Sequence, residues 1–167
     1  MVEPTNKNML GQTGFRLILD RIPTATYFSQ SASIPSISLG GPTVNTPIID
    51  YPLPGEKLTF SAFSVTFKVD EDMKNFLELY NWLVGLGSPE SFDQYKRYRN
   101  TSVNQNNLSD GTLIILSSKY NPNLRVKFRG MFPESISELQ FSTNAADIDY
   151  LEATASFRYK DYVIESV

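Results

Sequence analysis

The side chains in this chain that could do chemistry are carboxylates, because the other usual agents are missing. Its 167 residues include no histidine and no cysteine. That removes the commonest general base, the commonest metal ligand and any thiolate nucleophile. Three acidic groupings remain. Asp70-Glu71-Asp72 offers the oxygen donors of a hard-cation site. It also stands just ahead of an amphipathic run, where carboxylates meet the free N–H groups and positive end of a helix, and capping explains it more simply. Asp147-Ile-Asp149 with Glu152 is a fragment that a surface turn accounts for, and Glu134 with Glu138 has the composition of a glycosidase acid pair without groove residues around it. Gly85-x-Gly87 follows a helical run instead of preceding one, so it is no phosphate cradle. The expectation is a protein that is not an enzyme and uses no cofactor and no metal.

Binding chemistry is the next possibility. Tyr95-Lys96-Arg97-Tyr98-Arg99 mixes bases with aromatics, a pattern that can grip single-stranded nucleic acid. Fifteen bases against eighteen acids give a net charge of −3. A dedicated nucleic-acid binder should carry a basic face, so this cluster reads as a solvated surface. Asn100-Thr-Ser and Asn107-Leu-Ser match glycosylation acceptors, but no secretion signal precedes them and they read as chance matches. No run approaches 18 apolar residues, so the expectation is a soluble protein with no membrane partner.

The elements that would position these groups centre on residues 57–87. Alternation from Leu58 to Val69 predicts a strand, and its apolar face changes from Leu58, Phe60 and Ala62 to Phe63, Val65, Phe67 and Val69. That phase change predicts a β-bulge near Ala62. The following helix carries Met73, Phe76, Leu77, Tyr80, Leu83 and Val84 as an amphipathic stripe, with Gly85 and Gly87 ending it. Leu79, Trp82 and Leu86 form a second apolar row. Either the helix is sunk in its own core, or one row packs inward and the other meets a partner.

Elsewhere, Phe15-Arg-Leu-Ile-Leu-Asp20 reads as a first strand and residues 26–34 as a second, whose face Tyr27, Ser29, Ser31 and Ser33 is hydroxyl-rich. Residues 1–13 form a polar, flexible N-terminal arm. Residues 35–56 are an extended loop with five prolines, yet Leu39, Val44, Ile48, Ile49, Tyr51 and Leu53 are too apolar for a solvated connection. They need a surface, on this chain or on a neighbour. Residues 112–117 and 124–132 read as a hairpin that Pro133 stops, residues 135–141 as a short irregular strand, and residues 151–160 as a last strand continuing towards Ile164. The fold class is α+β, one domain over 1–167: mainly antiparallel, a β-barrel or sandwich with one main flanking helix.

The order of these segments resembles the tail tube proteins of contractile-tailed bacteriophages and the tube-initiating proteins of their baseplates. The resemblance runs over Phe15-Arg-Leu-Ile-Leu-Asp20, the Ile22-Pro23 turn, Tyr27 to Pro35, the proline-rich arm closing at Pro54-Gly55, the strand Phe63 to Glu71 and the helix carrying Trp82. It continues through Val126 to Pro133, Ile136 to Leu139 and Leu151 to Tyr162. It implies a homo-oligomer: hexameric rings closing into a β-barrel and stacking into a tube through which DNA passes without specific binding. It also implies a place in the virion tail after assembly in the host cytoplasm, with tail sheath, tape-measure and baseplate hub proteins as partners. Leu39, Val44, Ile48, Ile49, Tyr51, Leu53, Leu79, Trp82 and Leu86 then become candidate subunit-interface residues. A baseplate tube-initiator or hub ring, a secretion-system tube, and a monomeric β-sandwich binding carbohydrate through Tyr95 and Tyr98 are the alternatives.

Overall fold

A computed structural model describes residues 3, 7–87, 93, 108–143 and 150–167. In chain order its strands are β1 (Phe15–Leu19), β2 (Ser29–Ala32), β3 (Ile37–Leu39), β4 (Thr43–Val44), β5 (Tyr51–Pro52), β6 (Leu58–Phe60), β7 (Phe63–Lys68), β8 (Ser109–Leu116), β9 (Pro122–Ile136), β10 (Glu152–Arg158) and β11 (Asp161–Ser166). Two helices, α1 (Pro23–Tyr27) and α2 (Lys74–Gly87), interrupt them.

Seven strands make one antiparallel sheet in the order β1-β8-β9-β10-β7-β2, with β11 also paired to β9. β9 is its spine. Residues 124–129 of β9 pair with β11, and residues 132–136 pair with β10. Between them lies a bulge where Ser109 opposes Met131 but Gly111 opposes Phe128, and there Gly130 adopts φ 63°. A left-handed residue at a bulge is the geometry that bends a strand, and glycine takes it without Cβ strain. The partner strands break at the same level, between β10 and β11, where Lys160 N–H donates to Arg129 O at 2.9 Å.

The bend turns two halves of the sheet toward each other. Leu17, Leu113, Val126 and Phe128 from one half share a core with Phe63, Val65, Ala155 and Phe157 from the other. The Phe63 and Phe128 rings sit 4.5 Å apart across it. The sheet is open, not a closed barrel, and α2 seals the gap between its halves with Leu79 and Trp82.

Several sequence expectations change here. Residues 23–27, expected to turn and begin a strand, form a helical turn: Pro23 occupies its first position, where the missing N–H costs nothing, and β2 begins only at Ser29. Pro133 does not end its strand. It is buried inside β9 opposite Phe157, next to a register shift, one of the few sheet positions that tolerate proline. The bulge expected near Ala62 is a full break at Ser61 and Ala62, after which the chain changes partners from β3 to β10 and β2. The last strand is two, β10 and β11.

Candidate assembly surfaces

The two acidic groupings that lie within the described residues do structural work. Asp70 accepts from Asn75 N–H at 3.2 Å at the start of α2, while Asp72 pairs with Lys74 at 2.5 Å, which lowers its pKa. The fully buried Asn75 fastens that turn: its Nδ2 donates to Lys68 O at 2.7 Å and its Oδ1 accepts from Phe76 N–H at 2.8 Å. Glu134 is salt-bridged to Arg158 at 2.8 Å, and Glu138 accepts from Gln140 at 2.8 Å, both on open surface. Among the described residues no three acidic side chains converge as a metal site would need. Tyr95 to Arg99, Asn100, Asn107 and the Asp147 fragment lie outside the described residues.

The helix turns its second apolar row inward, and of the first stripe only Phe76 packs against the core. Leu79 is 0% and Trp82 3% exposed, with Leu86 packed partly buried beside them, so this row belongs to the chain's own core. Trp82 lies 6.3 Å from the Phe157 ring and has the Arg21 guanidinium 5.0 Å from its centre. Leu79 and Trp82, proposed as interface residues, are thus covered by the subunit's own core, where burying an indole is strongly favourable, while Leu86 at the end of the row keeps some exposure. Leu77 and Tyr80 face outward instead.

Residues 35–60 fold as a two-stranded ribbon standing off the sheet. β3 pairs with β6, placing Ile37 opposite Phe60, and further out β4 pairs with β5. Gly40 N–H to Lys57 O (3.1 Å) and Leu53 N–H to Pro42 O (2.9 Å) join the two segments. Their backbones cross so closely at Gly40, Gly41 and Gly55 that a Cβ on Gly55 would strike Gly40 O and one on Gly41 would strike Leu53 O. Thr46 and Ile49 close the tip through mutual hydrogen bonds.

The ribbon buries little of itself. Ile48 is 95% and Ile49 68% exposed at the tip, with Leu39, Tyr51 and Leu53 exposed along its length and Val44 half-buried. Its root is fastened by two tyrosines. Tyr159 Oη donates to Ser61 O at 2.7 Å on one side, and Tyr162 Oη donates to Pro35 O at 3.0 Å on the other. Both rings pack against Phe60 and Phe128. Burial, reinforced by Tyr162, pushes the Tyr159 hydroxyl up to about 12. The alternating pattern after Leu151 placed these tyrosines on a strand, but their role as clamps was not legible, since their partners lie 98 and 127 residues away.

The three bases of β9 also find partners. Arg129 makes a two-pronged bond to Asp161 at 2.6 Å, and Arg125 and Lys127 share Glu165 at 3.4 and 3.0 Å. Register explains it: Asp161 and Glu165 lie directly across from Arg129 and Arg125.

A family model described as phage tail tube protein matches residues 7–165. Among curated protein sequences nothing matches significantly. Among solved structures, the chain is similar to a component of an extracellular contractile injection system, the PVC sheath-tube complex in its extended state (TM-score 0.58, 12% identity, covering 96% of this chain and 94% of that one). It is similar to a chain of the anti-feeding prophage tube-terminating cap (TM-score 0.58, 12% identity, 99% and 97%). It is likewise similar to one of the anti-feeding prophage baseplate (TM-score 0.54, 14% identity, 99% and 97%).

Proposed function

Because this chain belongs to the phage tail tube protein family, we propose that it is a structural subunit that closes into hexameric rings and stacks them into the inner tube of a contractile phage tail. The observation that carries the reading is the ribbon of residues 35–60. Ile48, Ile49, Leu53 and their neighbours are held out in water by a clamped root. A contiguous apolar surface of this kind marks an interaction site, and a second copy of the chain is the occupant proposed for it. Among the described residues the sheet adds edges left unpaired at β1, β2 and β11, which ring closure would pair.

In this reading DNA passes through the bore without specific binding, and the sheath, tape-measure and baseplate hub proteins are the further partners. The tail of the virion is its place, reached after assembly in the host cytoplasm. A baseplate initiator is the near alternative, and growth separates the two. Purified protein imaged by negative-stain microscopy is expected to show rings that extend into tubes. Arrest at single rings favours the initiator, and a monomer persisting at high concentration overturns both.

A further inference from the structure

A tube subunit has, besides core and contacts, a surface that lines the bore. We propose that this lining is the outward face of the sheet half formed by residues 132–136 of β9 with β10, β7 and β2, centred on Ser64, Thr66, Thr154 and Ser156. The inference rests on the tube reading above. Register sets the four hydroxyls side by side: Ser156 opposes Ser64, and Thr154 opposes Thr66 with their oxygens 3.1 Å apart. Ser31 of β2 continues the row opposite Thr66. The alternate residues Val65, Phe67, Ala155 and Phe157 point into the core, so the hydroxyls point out.

The charges bordering this face are matched. Lys68 stands across from Glu152, and Arg158 is bonded to Glu134. Such a wall presents hydroxyls that trade hydrogen bonds with water and no strong field of either sign, so a charged polymer slides past without being held. At its borders stand two exposed aromatic side chains, Phe132 on β9 and Tyr150, whose ring lies 5.2 Å from Lys68 Nζ.

The other outward sheet face differs. There Arg125 and Lys127 share the single carboxylate of Glu165, while Ile18 and Val163 are 40% and 41% exposed. Excess positive charge beside bare aliphatic groups suits a lasting contact, not a sliding one.

The test uses the absence of native cysteine. Single-thiol full-length variants Ser156→Cys and Val163→Cys are assembled, reacted with a maleimide-linked gold cluster and viewed end-on by electron microscopy. Gold inside the ring for Ser156→Cys and outside the bore for Val163→Cys is expected. Rings whose Ser156→Cys gold lies outside the bore, or whose thiol is shielded between subunits, overturn the face assignment and leave the tube reading standing. Failure of the unmodified chain to form rings overturns the tube reading itself. Ser64→Cys, on the neighbouring strand, repeats the measurement if Ser156→Cys does not fold.

Discussion

At Gly130 a single dihedral carries the bend of β9. A Cβ placed there would meet Leu108 and Lys160 only at ordinary contact distance, so the cost of Gly130→Ala is backbone strain, not collision. About 1–2 kcal/mol of destabilisation is expected, read as a lower urea midpoint with unchanged slope. Tyr159 makes a prediction in pH. Its phenol ionises near 10 when unfolded and is held up to about 12 in the fold. The folded state therefore keeps the proton more tightly, and the stability this contributes is complete below about pH 10 and lost as pH rises towards 12. The urea midpoint should fall across that window, and Tyr159→Phe should flatten that part of the decline while lowering the midpoint at neutral pH through loss of the bond to Ser61.

At the scale of elements, α2 and the ribbon make opposite predictions. Trp82→Ala empties the seam between the sheet halves and should cost about 3–5 kcal/mol, visible in thermal unfolding of the subunit before any assembly. Ile48→Asp with Ile49→Asp at the ribbon tip should leave unfolding within about 0.5 kcal/mol of the unmodified chain and abolish higher-order species in sedimentation. If the double variant still assembles, the ribbon is not the contact. Elements with strong alternation were legible in the sequence. β1, β7, β8 and β10 bury every second residue, and no other period competes there. The orientation of α2 was not legible, because two apolar rows share one helix and periodicity does not weigh an indole against several smaller groups. Asn75 and Gly85 lie on the buried side and disguised it as the polar one. The helical turn at Pro23 is too short to show a period, and Pro133 reads as a stop unless the bulge that shelters it is known.

For the whole molecule, the ribbon carries a long run of exposed apolar side chains, and the ion pairs of Arg125, Lys127, Arg129 and Arg158 lie on the sheet surface. Association driven by the ribbon should survive salt: at about 1 M, where the screening length is roughly 3 Å, surface charge pairs are largely silenced and apolar burial is not. Assemblies measured by light scattering should persist at that ionic strength. Dissolution there would move the driving force to charges such as Arg129 and Asp161. The arm residues were legible as a group because proline and aliphatic side chains rarely share a solvated loop, whereas their pairing into a ribbon depended on glycine crossings that no periodicity records.

The tyrosine clamp has a mechanical corollary. A slender pair of strands fixed at its base and unsupported beyond it is barely stable in water on its own, so in the proposed tube its final curvature would be lent by the body it lands on. The same polypeptide would then mould itself to unequal seats, a fresh copy of itself at a growing end or a different protein where growth begins and stops.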